Sequence, residues 1–330
     1  MRELPEEVVH LPFSPGSFRM AMDLVSVAEA DWFELDRRYL GEMAERRRLL
    51  DSAHGEVFAA LPVSDAARRE ALEVVVGALT LHHPDWFSCD GGVARNHLTG
   101  ECWDMTAKGG AVATGPAWPP PTMTTGGRHP VPGTGIDPLE LAGRLVQEDL
   151  CLVQNGSDGP VFTAAVLCFP SRWRLMDKIG KRLADVHGPV PLYADRLAAP
   201  VDRFMRHLKV GHIASRLNWS LLDDPALFQP GGKWRVDGDA GITGANAGER
   251  VFLRVERQTL RRLPASGAVL FGIRVHVYRM DRVIDGAARA AALAEAVRAL
   301  PAEVQHYKSL LPFRAAVLGW LGDFQAGGGM

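Results

Sequence analysis

Apolar positions recur at helical spacing in the first part of the chain and alternate with polar ones in the second. From Asp31, residues Trp32, Leu35, Tyr39, Met43 and Leu50 fall on one stripe, which predicts a helix with the basic run Arg46-Arg47-Arg48 on its solvated side. A second helix is expected from Ser64 as cap, with Ala71, Val74, Val75, Ala78 and Leu79 inward, ending before His82-His83-Pro84. Asp137 caps a third, whose Leu139, Ala142, Val146 and Leu150 share a face. Strand patterns then appear at 150–154 and 161–169, joined by the turn Asn155-Gly-Ser-Asp-Gly, and again at 215–222, 250–262 and 267–279. The last two form a hairpin around Leu263-Pro-Ala-Ser-Gly. Helices are expected at about 195–208 and 286–300, and a final segment carries Trp320.

Strands gathered into an antiparallel sheet with helices on one face make an α+β fold with the layout of a PAS-type domain. The division that follows is a helical region at 1–107, a Gly/Pro-rich loop or insertion at 108–136, a PAS-like domain at 137–280 and a C-terminal helical extension at 281–330. Trp118, inside the insertion, argues for contact with something. Residues 4–18, punctuated by Leu11-Pro-Phe-Ser-Pro-Gly, read as an extended surface arm.

Composition narrows the function classes. With 330 residues, 47% of them hydrophobic and 23% charged, the chain can bury a sizeable core. A net charge of −2 gives no general attraction to phosphate backbones or anionic membranes, so no nucleic acid and no membrane are expected as partners. The first residues lack the apolar core of a signal peptide, and a cytoplasmic location is expected. Cys89, Cys102, Cys151 and Cys168 show no C-x-x-C spacing, which argues against a zinc knuckle or iron–sulfur site built by this chain.

The richest stretch is 168–191. A strand stops at Phe169-Pro170, Ser171 is placed to cap a short helix, and Gly180 to close it. His187 ends a second helical turn just before Gly188-Pro189-Val190-Pro191, where a rigid exit lowers the entropy cost of gripping a metal. A lone imidazole more often caps a helix than ligates, and both readings stand at this point. On the strand from Val251, residues Leu253, Val255, Arg257 and Thr259 share one side, and Arg254, Glu256, Gln258 and Leu260 the other. Such mixed faces fit either an Arg–Glu ladder or a pocket that anchors carboxylates or a small cation. On the partner strand Gly272 leaves room for a flat object, on the face that also carries Arg274 and His276. The strand at 216–222 adds Arg216, Asn218 and Ser220 on one side and Trp219 on the other. No nucleophile elbow, P-loop or His-Glu-x-x-His motif is present.

Several segments together closely resemble the haem-dependent oxidative N-demethylase family: Gln147-Glu-Asp-Leu-Cys, Cys168-Phe-Pro-Ser-Arg-Trp, Leu183-Ala-Asp-Val-His-Gly-Pro-Val-Pro, Asn218-Trp-Ser, Arg254-Val-Glu-Arg-Gln-Thr-Leu-Arg-Arg-Leu-Pro and Tyr307-Lys. The resemblance implies a PAS-like fold holding haem b and oxidative removal of a methyl group from a secondary amine such as dimethylamine, with release of formaldehyde. It implies His187 as iron ligand, and electrons that reach the haem from a separate NADPH-dependent reductase with flavin or iron–sulfur centres. Candidates for the haem surroundings are Arg172, Arg216, Arg254 and Trp219, with Arg257 and Glu256 as catalytic candidates and Glu256 a possible partner for the substrate ammonium. A folate-binding partner could take the formaldehyde. The alternatives are a haem PAS sensor of O2, CO or redox state, and a haem-free binding scaffold.

Overall fold

A computed structural model describes residues 3–13, 18–107, 110–116, 118, 135–237 and 239–326. Seven strands form one antiparallel sheet: β1 Val25–Val27, β2 Phe58–Ala60, β7 Asp149–Gly156, β8 Gly159–Val166, β9 Ile213–Leu222, β10 Phe252–Arg262 and β11 Val269–Arg279. Across the sheet they run β1-β9-β10-β11-β7-β8-β2. The α+β class is therefore as expected, and all five anticipated strands are present with ends moved by at most three residues. At the β10–β11 turn Gly267 adopts a φ of 68°, and its N–H donates to the Leu263 carbonyl. That closure fixes the register Arg262↔Val269 and with it every face assignment along both strands.

Two features depart from the expected division. β1 and β2 come from the N-terminal region and add to the two edges of the sheet, so 1–107 and 137–280 share one layer. A second, four-stranded sheet is formed by β3 Phe87–Asp90, β4 Val93–Asn96, β5 Glu101–Asp104 and β6 Val112–Ala113. Strands of two to four residues are too short for alternation to stand out from chance. Most of 117–134 lies outside the described residues; Trp118 does make a contact, lying 5.5 Å beneath the guanidinium of Arg47.

The helix Asp65–His82 forms where its apolar stripe places it, although Ser64 donates its hydroxyl to the Leu61 carbonyl and does not cap it; the first helix starts only at Tyr39 and runs to Ser52, leaving Trp32 and Leu35 ahead of it. Of the basic run, Arg48 stays in water, paired with Glu45, but Arg46 and Arg47 do not. Arg46 is fully buried, donating to Asp149 and to the Gln147 carbonyl at 2.8 Å each, and Arg47 is buried against Glu101 and the Arg144 carbonyl. A buried guanidinium is tolerable only with this degree of pairing. Asp137 caps as expected, accepting from the Leu139 N–H at 2.9 Å, but the helix stops at Gly143 and Leu150 belongs to β7.

Register gives β9–β11 a front and a rear. The front carries Arg216, Asn218 and Ser220, then Arg254, Glu256 and Gln258, then the apolar row Ile273, Val275 and Val277. The rear carries Leu217, Trp219 and Leu221, then Leu253, Val255, Arg257 and Thr259, then Gly272, Arg274, His276 and Tyr278. Helices Ala287–Ala299 and Arg314–Ala326 cover part of the rear, burying Leu293, Val297, Val317 and Leu321 with Leu221, Leu253 and Val255. Ile273 and Val275 instead join the core that contains Phe169, Leu175 and Met205.

Candidate active site

After β8 the chain is tied down before it reaches His187. Asp149 accepts the N–H groups of Cys168 and Phe169 at 2.8 Å each. Arg254 then fastens the segment: its guanidinium donates to the carbonyls of Phe169, Ala226 and Leu227 at 2.9 to 3.0 Å, and Nε donates to Ser171 Oγ at 2.8 Å. Ser171 therefore serves as an acceptor for Arg254 and does not cap a helix. Arg172 sits at a φ of 61°, donates its N–H to the Gln229 carbonyl and pairs with Asp223 at 2.9 Å.

His187 closes the helical turn Leu183–Val186. Its Nδ1 donates to the Leu183 carbonyl at 2.8 Å, and its ring stacks on Tyr193 with centroids 4.5 Å apart and planes 11° from parallel. Two independent contacts thus fix ring position and tautomer, and Nε2, the remaining nitrogen, makes no hydrogen bond among the described residues. Burial lowers its pKa, with the positive charges of Lys178, Arg216 and Lys233 acting in the same direction and the Leu183 carbonyl opposing. These effects favour the neutral imidazole, the form a metal requires.

Around it lies an excess of cations. Arg216 has a buried Nε with no partner, and burial lowers its pKa despite the nearby Glu256 and Asp23 charges. Burial takes Lys233 and Lys308 down to about 8 each, again with Glu256 in opposition. Lys233 sits 4.8 Å over the Tyr307 ring; Lys308 donates to the Trp219 carbonyl at the edge of β9. Tyr307 is pushed up to about 12 by burial and the Glu256 charge. Glu256 is the one acid felt by all of these groups. It accepts from Gln258 at 2.8 Å and Asn218 at 3.2 Å through the same oxygen, leaving Oε1 without a hydrogen bond among the described residues. Desolvated cations facing a single carboxylate favour an additional anion.

Of the residues singled out from sequence, Arg216 and Glu256 share the front of the sheet, and the charge of Arg216 acts on His187. The structure does not bring the others with them. Arg172 and Arg254 are spent on Asp223 and on loop carbonyls, so their guanidinium forks hold backbone in place. Arg257 is on the rear, donating to the carbonyls of Trp32 and Asp31 and pairing with Glu34 at 3.0 Å, because adjacent residues of a strand point to opposite sides. Trp219 points its ring to the rear, edge-on to Phe13 at 6.1 Å, and meets the site only through Lys308, whose Nζ stands 5.8 Å from its ring centroid. The rear face at Gly272 offers no bed for a flat group either, since a Cβ there would stand 2.7 Å from Thr259 Oγ1. Lys178, Lys233, Lys308, Tyr193 and Tyr307 were not anticipated in the site. Tyr307-Lys308 figured in the resemblance without a role, and the others sit in turns where no periodicity marks them.

A fixed imidazole and cations that form no ion pair among the described residues make this the candidate centre of a protein that holds an anionic metal complex. The model of the family described as haem-dependent oxidative N-demethylase, alpha subunit-like, matches residues 23–318, and the chain belongs to that family. Haem dependence and an N-demethylase-like subunit role come with membership, and so does a partner subunit. Among the described residues, no helix is long and apolar enough to cross a membrane.

Proposed function

We propose that this chain is the haem b subunit of a monooxygenase that removes a methyl group from a small secondary amine of the dimethylamine kind. The balance is one O2, two electrons and two protons per methyl group, giving the primary amine, formaldehyde and water. The electrons come from a separate NADPH-dependent reductase through flavin or iron–sulfur centres, and the formaldehyde passes to a folate-binding partner. The observation that carries the reading is His187: Nδ1 anchored on the Leu183 carbonyl, Nε2 free, and the partnerless Nε of Arg216 close enough for its charge to be felt.

In this reading the residues present fit the group. His187 Nε2 would ligate iron, and Arg216 with Lys233 and Lys308 would face the propionates, relieving the cost of burying three cations. The bound haem supplies activation of O2 for oxidation of the N-methyl carbon. Glu256 holds the substrate ammonium through Oε1, with Asn218 and Gln258 fixing the carboxylate plane. The antiparallel sheet with this site on one face supports the PAS-like reading of 137–280. Four unpaired cysteines, two of them buried, support a cytoplasmic setting.

The test is a spectrum and a product assay. The purified protein should show a Soret band that His187→Ala abolishes without loss of fold, and with reductase and dimethylamine it should release formaldehyde. Glu256→Gln should keep the band and raise KM for the amine about ten- to a hundredfold, the worth of a charge-assisted hydrogen bond. A band with no formaldehyde under any reductant would favour the sensor reading, and no band at all would overturn both.

A further inference from the structure

On the rear of the sheet a second set of nitrogen and oxygen donors converges, with no part in the site above. His276, fully buried on β11, has Nδ1 3.1 Å from Glu7 Oε1 and Nε2 3.0 Å from Glu34 Oε2. His10, on the N-terminal arm, places Nε2 3.1 Å from both oxygens of Glu34. The three donor atoms of His10, Glu34 and His276 lie within 4.8 Å of one another.

A neutral imidazole carries one N–H, yet His276 meets a carboxylate oxygen at each nitrogen. Something positive must therefore lie between Nε2 and Glu34. A proton there would leave His276 charged, its ring centroid 4.9 Å from that of His10, which can donate to Glu34 as a neutral ring. One divalent ion shared by His10, Glu34 and His276 would instead take both Nε2 lone pairs and a carboxylate oxygen of Glu34, whose other oxygen Arg257 already holds at 3.0 Å. The spacing agrees: ligands about 2.0 Å from a tetrahedral zinc ion stand roughly 3.3 Å from one another, close to the separations of Glu34 from each ring. Supporting contacts are also in place. Glu7 on Nδ1 selects the tautomer that presents Nε2, Arg38 holds Glu7 from behind at 2.7 Å, and Arg257 holds the other oxygen of Glu34.

We propose that His10, Glu34 and His276 form a site for a divalent transition-metal ion of the zinc type, pinning the N-terminal arm to β11, with water completing the coordination from the side where His10 and Glu34 are 16% and 18% exposed. Two nitrogens and one carboxylate oxygen suit zinc better than calcium or magnesium. The site is independent of the haem reading and can fail without it.

Zinc is the probe because its content is read separately from haem iron. Haem-loaded protein is stripped with a chelator, loaded with Zn2+, dialysed and assayed for metal, and its zinc-edge X-ray absorption recorded. The expected result is one zinc per chain, with nitrogen and oxygen scatterers at about 2.0 Å. His10→Gln and His276→Gln should each weaken zinc binding by at least about a hundredfold with the Soret band unchanged. His10→Gln, on the arm, remains informative should the buried change at His276 prevent folding. Less than stoichiometric zinc in the unaltered protein, or zinc retained by the variants, overturns the proposal.

Discussion

The two faces of β9–β11 carry similar residues in opposite states. On the rear, Arg274 pairs with Asp36 at 2.7 Å and Glu42 at 2.6 Å, which outweigh its burial and raise its pKa, and Arg257 is bound by Glu34 and two carbonyls. On the front, Arg216 makes no ion pair or side-chain hydrogen bond among the described residues, whereas Arg274 leaves only its Nε without one, and Lys233 and Lys308 are brought down to about 8 by burial. Saturated charges hold a structure together, whereas desolvated charges without partners store a preference for something still to arrive. That contrast, more than the presence of arginines on a strand, separates the ladder from the site.

The largest effect should come from breaking the saturated side. Arg274→Met leaves Asp36 and Glu42 buried without their cation, and should cost about 3–5 kcal/mol in urea unfolding. Arg216→Met removes a cation with no hydrogen bond to lose, so stability should change by no more than about 1 kcal/mol while haem retention falls. Equal destabilisation by the two changes would mean that the front is a ladder as well.

A pH series sharpens the same contrast. Lys308 has an ordinary pKa of 10.5 when unfolded and about 8 when folded, because burial disfavours its charged form. Between those values the unfolded chain binds more protons, so haem-free stability should rise with pH from about 8 to 10.5, by on the order of 2 kcal/mol. Below 8 the lysine is charged in both states and the penalty is fully present. Lys308→Met should flatten that part of the profile. If propionates face Lys308, loading haem should move the rise to higher pH, and an unmoved rise would separate the lysine from the cofactor.

The alternation along 250–262 and 267–279 was enough to assign the faces, and the Gly-Pro-Val-Pro exit was enough to single out His187. Which face meets the ligand was not readable there. Arg254 looks from its strand like a propionate anchor, but its partners are the carbonyls of 169–170 and 226–227 and the Ser171 hydroxyl, in segments far away in sequence. Arg46 and Arg47 look solvated for the same reason: Asp149 and Glu101, which neutralise them, come from other elements. Periodicity reports which side of an element is apolar. It does not report whether a charge on either side will find a partner, because that depends on long-range packing.

The smallest effect tests the face assignment itself. If a flat group lay against Gly272, as its missing side chain suggests, any methyl there would lift it away and the Soret band would weaken or shift. The structure instead fills that space with protein: a Cβ at Gly272 meets Thr259 Oγ1 at 2.7 Å, with Glu148 Cγ and Cβ at 3.9 and 4.0 Å. Gly272→Ala should therefore cost about 1–2 kcal/mol through overpacking and leave the haem spectrum untouched. Thr259→Ala should restore most of that loss, since it removes the oxygen in the way, and the pair should be non-additive by a comparable amount. A spectral change with unaltered stability would place the cofactor on the rear, and with it would go the roles given to Arg216 and Glu256.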